Sequence, residues 1–370
     1  MSTADESRPV RDEDAFDVAA VDSWLREHTG LSERLGCALP GGLPEVRQFP
    51  GGASNLTYLL RWHVAGKERS RDLILRRPPV GSKARGAHDM AREYQIQDAL
   101  APIYPYVAGM VGLCRDASVL GSDFYVMERL DGVILRKDLS FGLPPKAAST
   151  LCGHAWEALA RLHEVDVTEV PALATVGRGE GYVARQVAGW TDRLARATTE
   201  DLGDWGDVTA WLEVHQPADS GRCLIHNDWR FDNLVLDPGD DLRVTGVLDW
   251  EMATVGDPLM DLGGALAYWI QADDDAFFRD FRRQPTTVPG MWTRQQVVDW
   301  YCTRRDITMT PERWRFYEAF GVFRLAVIIQ QIWYRFAHGQ THNPAYAGFG
   351  DAVRYLEQRT RHVVATGEGC

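Results

Sequence analysis

The chain has 370 residues, 45% of them hydrophobic and 25% charged, and a formal net charge of −12. This is the composition of a globular protein with ample core, long enough for two domains or lobes. The acidic balance argues against a nucleic-acid binder, and no apolar run approaches the roughly 20 residues of a membrane span. Six scattered cysteines without a C-x-x-C pair point to reduced thiols in a cytoplasmic protein rather than to disulfides or zinc.

In chain order, residues 1–15 are polar and charged, lack a signal-peptide core, and read as a flexible tail. Asp17 to His28 places Val18, Val21, Trp24 and Leu25 at helical spacing, with Gly30 as a stop. Glu45–Phe49 and Leu56–Trp62 read as strands joined by Pro50-Gly51-Gly52-Ala53-Ser54-Asn55. Small residues there would let backbone N–H groups approach phosphate oxygens; an ordinary glycine hairpin fits the same segment. Asp72–Leu75 is a third strand leading into Arg76-Arg77-Pro78-Pro79, and His88–Leu100 is helical. Phe124–Leu130 reads as another strand, and Pro144–His163 as a long helix ending in LARLH. Further helices are expected over GYVARQVAGW, Leu259–Ile270, Thr293–Tyr301, Trp314–Tyr334 and Asp351–Val363. Asp257 before Pro258 suits a helix cap better than a metal ligand.

The stretch Leu224–Leu262 carries the chemistry. Short apolar runs at Leu224-Ile225, Leu234–Leu236 and Val244–Leu248 read as small strands split by polar turns. Asp228, Asn233 and Asp249 stand at their edges. Two carboxylates and an amide oxygen are hard donors suited to Mg²⁺ held together with phosphate oxygens.

The spacing His226-x-Asp228-x4-Asn233, followed by Asp249, resembles the catalytic and metal segments of the protein-kinase-like superfamily. Trp250-Glu251 stands where protein kinases carry Phe-Gly. With VLDWEMATVGDPLMDL the chain resembles the aminoglycoside phosphotransferase-like small-molecule kinases, in particular the kinase-like domain fused to some acyl-CoA dehydrogenases and its free-standing bacterial relatives. The resemblance runs from Phe49 to His362 and implies an α+β, bilobal protein-kinase-like fold. Its nucleotide-binding lobe, an antiparallel sheet plus helix, would span 16–128; a larger, mainly helical catalytic and substrate lobe would span 129–370.

The resemblance also implies Mg²⁺-dependent transfer of the γ-phosphate of ATP or GTP to a hydroxyl of a small molecule, and the dehydrogenase-linked relatives imply a hydroxyacyl-CoA acceptor. Asp228 would orient and deprotonate the hydroxyl, and Asn233 and Asp249 would hold Mg²⁺. Arg230 occupies the place of a catalytic-loop lysine, although a surface arginine fits equally well. His226 would position the loop, and Asp261 would brace it by accepting backbone N–H bonds. Gly52, Ser54 and Asn55 would cover the phosphates. Arg76 would replace the usual strand lysine and pair with Glu93, and backbone groups near Glu128 and Leu130 would meet the purine. Tyr182, Arg185, Gln186 and Trp190 suit helix packing or the acceptor site, and Arg324 suits an acidic group on the acceptor. Asp273-Asp274-Asp275 would provide an acidic cleft if the acceptor were a polycation, or a solvated loop otherwise. The alternatives are an aminoglycoside or small-alcohol kinase, a metal hydrolase using His226, Asp228, Asp232 and Asp249, and a nucleotide-binding pseudokinase. Oligomeric state is left open.

Overall fold

The structure is a computed structural model that describes residues 7–28, 40–50, 55–63, 70–79, 89–239 and 241–367. Gly52 and Ser54 lie outside the described residues. The chain divides into two compact units, one of residues 1–133, 234–239 and 244–251, the other of 134–233, 240–243 and 252–370.

The first unit is built on a six-stranded antiparallel sheet. Its strands are β1 (Arg8–Pro9), β2 (Glu45–Gln48), β3 (Leu56–His63), β4 (Ser70–Arg77), β5 (Met110–Cys114) and β6 (Phe124–Glu128), in the order β1-β2-β3-β4-β6-β5. Alternation along β3 sends Tyr58, Leu60 and Trp62 to one face, where they pack with Val21 and Leu25 of α1 (Val18–His28). Leu59 and Ile74 point to the other face and meet Met90 of α2 (Met90–Leu100) with Tyr125 and Met127. Both faces are covered, which explains the consecutive apolar residues Tyr58-Leu59-Leu60 in β3 and Leu73-Ile74-Leu75 in β4. A short helix, α3 (Ala117–Leu120), precedes β6. A hairpin of Leu234–Leu236 and Val244–Val247 also belongs to this unit, tied on by the Val133–Leu236 bridge and by Val247 N–H donating to Tyr106 O at 2.6 Å.

The expected flexible tail is corrected from residue 7 onward. Arg8–Pro9 pairs with β2, and Asp14 is buried, accepting from Gln48 Nε2 at 2.8 Å. Tyr58 and Arg77 both donate to the Asp14 carbonyl. The polar residues that suggested a solvated tail are anchors whose partners lie 34 to 63 residues away.

The second unit is mainly helical. It contains α4 (Pro145–Leu162), α5 (Pro171–Ala174), α6 (Tyr182–Arg196), α7 (Gly206–His215), α8 (Pro258–Ala267), α9 (Ala276–Asp280), α10 (Arg294–Arg304), α11 (Pro311–Ala337) and α12 (Phe349–Thr366). Cys223–Ile225 pairs antiparallel with Thr254–Gly256. The 27-residue α11 packs against α6, α8 and α12. Where it crosses α8, a Cβ on Gly321 would collide with the Gly263 carbonyl, so glycine lets the two backbones touch. Asp257 caps α8 as expected, accepting from Leu259 and Met260 N–H at 2.8 and 3.0 Å. An antiparallel sheet with segregated helices is α+β architecture. Among the described residues no helix is long and apolar enough to cross a membrane, and the described cysteines, Cys114, Cys152, Cys223 and Cys302, are free and buried.

Candidate active site

In the first unit, β4 carries Arg76 and α2 carries Glu93; their side chains are buried and approach to 3.3 Å. The other end of the Arg76 guanidinium donates to Asp249 Oδ1 at 3.0 Å. Tyr125 of β6, opposite Arg76 in register, donates its hydroxyl to Glu93 Oε1 at 2.8 Å. Burial works against the Arg76 charge, but the Glu93 and Asp249 carboxylates outweigh it and hold its pKa well above the ordinary value. Burial raises Glu93, with Arg76 opposing. Asp249 has a left-handed backbone (φ 65°), a costly conformation for a non-glycine residue of the kind that clusters at functional sites. Its side chain keeps 31% exposure, so the carboxylate is not sealed in the core.

The residues around Asp249 account for the Trp-Glu that follows it. Trp250 is buried, donating Nε1 to Val247 O at 2.9 Å, and Glu251 accepts from Asn55 Nδ2 at 3.0 Å. Glu128 N–H is spent on Gly109 O at 2.8 Å, and its carboxylate pairs with Arg71 at 3.2 Å. The Glu128 amide is therefore not free to bond a purine. Leu130 packs beside the Met90 and Met127 cluster.

In the second unit the loop after Cys223–Ile225 is held from below by one carboxylate. Asp261 of α8 accepts from His226 N–H at 2.7 Å and Asn227 N–H at 2.8 Å, and bonds His163 Nε2 at 3.1 Å. His163 Nδ1 in turn meets Tyr301 Oη at 2.6 Å. Burial opposes the Asp261 charge, yet the His163 bond and the loop amide keep its pKa below the ordinary carboxylate value. This brace fixes Asn227 at φ 65°, and the chain turns there to present Asp228. Asp228 Oδ2 accepts from Asn233 Nδ2 at 2.9 Å and from Arg230 Nη2 at 3.1 Å. Among the described residues Oδ1 has no such partner, and a carboxylate oxygen is an acceptor. Asn233 spends its amide nitrogen on Asp228, bonding the backbone carbonyl as well at 2.9 Å, and among the described residues its side-chain oxygen has no hydrogen-bond donor. His226 is fully buried and accepts from Asp228 N–H at 3.3 Å, so it holds the loop and is not exposed as a base. Arg230 is not a simple surface arginine: it bridges Asp228 and Asp232 and lies 5.3 Å from the Tyr268 ring.

His163, Tyr301 and Asn227 escaped the sequence reading. Asn227 carried a usable signal, because asparagine tolerates the left-handed region and stands directly before Asp228 in sequence. The acidic run is neither a cleft nor a wholly solvated loop. Asp274 is buried between Arg294 (2.7 Å) and Arg359 (3.3 Å), and Asp275 caps α9. Trp269, Phe320 and Phe323 are core residues. Among the described residues no three His, Cys, Asp or Glu side chains are placed to hold a metal ion.

A sheet unit with a buried Arg–Glu pair and a helical unit with a braced H-x-D-x4-N loop define a protein-kinase-like phosphotransferase. Residues 45–301 match the family model described as the phosphotransferase enzyme family (APH), and the chain belongs to that family; it is a small-molecule kinase. It is 34% identical to acyl-CoA dehydrogenase family member 10 of Mus musculus over 90% of this chain and 30% of that protein. The chain thus spans only about a third of that relative's length. Among solved structures, a candidate aminoglycoside phosphotransferase of Ralstonia eutropha is 29% identical, with a TM-score of 0.77 over 95% of this chain and 99% of that one. A streptomycin–ATP complex of an aminoglycoside phosphotransferase, 14% identical with a TM-score of 0.54, covers 90% of this chain and 96% of that one and shares the fold.

Proposed function

We propose that the protein transfers the γ-phosphoryl group of ATP or GTP, in a Mg²⁺-dependent reaction, to the hydroxyl of a small hydroxyacyl compound, with a hydroxyacyl-CoA as the leading acceptor. The observation that carries this reading is the state of Asp228: one carboxylate oxygen is fixed by Asn233 and Arg230, and the other is left to accept an acceptor's O–H. Asp228 orients that hydroxyl and receives its proton. Arg230, bonded to Asp228, brings positive charge next to it, which suits a transferring phosphoryl group.

The donor chemistry fits Mg²⁺, which keeps several waters and takes few protein ligands, carboxylate or amide oxygens in particular. Asn233 has an uncommitted amide oxygen, and Asp249 a half-buried carboxylate; each is proposed as a ligand. The metal, when bound, would neutralise phosphate charge. Arg76 is proposed to bind nucleotide phosphates bidentately in place of a lysine, held in place by Glu93. Asn55, with Gly52 and Ser54, is proposed to belong to the loop over the phosphates, and the backbone of Glu128 and Leu130 to meet the purine.

The family name and the streptomycin–ATP neighbour supply the competing acceptor, an aminoglycoside. Recognition of a polycation calls for free carboxylates, and two of the three in the acidic run are taken up, Asp274 by Arg294 and Arg359 and Asp275 by a helix cap. The acyl-CoA dehydrogenase name of the curated relative favours the acyl acceptor. Incubating the protein with Mg²⁺ and ATP or GTP, and with hydroxyacyl-CoAs, aminoglycosides, choline and sugars in parallel, tests the proposal. Phosphorylated hydroxyacyl product is expected; turnover of aminoglycosides alone would refute the acceptor assignment, and nucleotide binding without any turnover would make the protein a pseudokinase.

A further inference from the structure

Arg324 is the feature of the second unit that phosphoryl transfer as described leaves unused. It sits on α11 and is only 8% exposed. One guanidinium nitrogen donates to Asn227 O at 2.8 Å, the carbonyl directly before Asp228, and the guanidinium carbon lies 5.3 Å from the Trp190 ring of α6. Among the described residues it makes no other hydrogen bond and no ion pair. An arginine has five N–H donors, so most of this one's hydrogen-bonding edge is unspent.

A buried guanidinium without a carboxylate partner is costly, and such groups are ordinarily paired. Bonding a single carbonyl needs no charge; a neutral donor would clamp Asn227 as well. Arg193, which lies 4.5 Å from the same Trp190 ring, adds a second cation and no anion. Arg230 lies 5.3 Å from the Tyr268 ring, and the phenol, raised by burial, also feels the charges of Asp228, Arg324 and Asp232. Gly264 of α8 lies against the guanidinium: a Cβ there would stand 2.9 Å from Arg324 Nη1, so glycine keeps space open at that nitrogen.

We propose that Arg324 anchors the acceptor, pairing its unspent guanidinium edge with a negatively charged group of the molecule whose hydroxyl meets Asp228. This rests on Asp228 receiving the acceptor hydroxyl and narrows the acceptor to an anionic class. Two sources supply that charge: the carboxylate of a free hydroxy acid, or the phosphates of a CoA thioester. Arg324 disfavours the polyamine acceptors of related kinases through like charge.

The test measures binding by calorimetry with Mg²⁺·ADP present, using C4–C8 hydroxy acids, their CoA thioesters and, as cation control, an aminoglycoside. Arg324→Met and Arg324→Lys are compared with the unaltered protein, and Gly264→Ala displaces the guanidinium without deleting it. Arg324→Met is expected to weaken one anionic series about 10- to 100-fold, as loss of a charge-assisted pair does. Arg324→Lys should retain part of the affinity, Gly264→Ala should lose part of it, and Mg²⁺·ADP affinity should stay unchanged in all three. The series that responds identifies the source of the charge. In turnover, the loss should appear in KM for the acceptor more than in kcat. Equal affinities in the unaltered and Arg324→Met proteins, a pure kcat loss, or no binding of either anionic series by the unaltered protein would overturn the proposal. Because calorimetry reads binding without chemistry, anion binding with no phosphorylation would instead count against the proposed reaction while upholding Arg324.

Discussion

The two charged clusters are held in opposite ways. Arg76, Glu93 and Asp249 are joined by ion pairs between long or half-exposed side chains, and the Asp249 carboxylate is already occupied by the guanidinium. Asp228 instead sits on a loop whose backbone amides are fixed by Asp261, itself locked by His163 and Tyr301. Ion pairs can be exchanged for others of like geometry, and a phosphate or a metal can take the place of a carboxylate or an arginine. Hydrogen bonds to backbone amides have no such substitute. Under the proposed function the first cluster would change partners when nucleotide arrives, and the second would keep an acceptor hydroxyl in one position. Binding and chemistry should therefore respond separately to mutation.

The largest effect is expected at Asp228. Asp228→Asn keeps the size but cannot take a proton, and kcat should fall by about 10²–10⁴-fold, the range of a general base. Steady-state rates with saturating nucleotide check this, and near-normal turnover would break the contrast between the clusters. Arg76→Ala comes next: the loss of charge-assisted bonds to phosphate should cost about 10- to 100-fold in kcat/KM for nucleotide, with Arg76→Lys between it and the unaltered protein. Unchanged kinetics in Arg76→Ala would remove Arg76 from the phosphate site.

Asp261→Asn should act on stability. Asparagine offers one oxygen to donors that now share two, so at least one buried N–H loses its acceptor, at about 1–3 kcal/mol. Thermal unfolding of the variant reads this directly. The sign of its pH dependence also follows. The Asp261 pKa is lower in the folded protein than in the unfolded chain, so its contribution is complete above the ordinary carboxylate value and fades as pH falls through the folded one. The stability difference between the two proteins should therefore narrow on acidification below about pH 4. A constant difference across that window would mean that Asp261 is not ionised in the fold. Smallest is Tyr125→Phe, which removes one hydrogen bond to Glu93 and should cost about 1 kcal/mol of stability with modest change in nucleotide affinity.

What could be read from the sequence follows the same division. The strands carrying Arg76 and Tyr125 announced themselves because a sheet covered on both faces leaves consecutive apolar residues, here Leu73-Ile74-Leu75 and Phe124–Met127, and the Arg76–Glu93 pair follows from strand and helix placed as the resemblance implied. The H-x-D-x4-N loop is local, so its spacing was visible. The brace beneath it was legible only in part: Asp261 stands in the GDPLMDL string, but His163 and Tyr301 lie 138 residues apart, and no local pattern joins them. β5 was missed because Met110–Cys114 is short and irregular, its pairing with β6 shifted by a bulge. The ordering of residues 7–15 was missed because polar residues bonded to distant partners look like solvated ones until the fold closes. The Asp273–Asp275 run was ambiguous for the same reason: burial of Asp274 depends on arginines 20 and 85 residues further along the chain.

The contrast between the clusters is tested most directly by titrating Mg²⁺·ATP into Asp228→Asn and Asp249→Asn by calorimetry. Asp228→Asn should bind Mg²⁺·ATP like the unaltered protein, while Asp249→Asn should bind it markedly more weakly and lose the Mg²⁺ dependence of binding. Equal weakening in the two variants would contradict the account, because both aspartates would then be metal ligands and Asp228 would not be the acceptor's base.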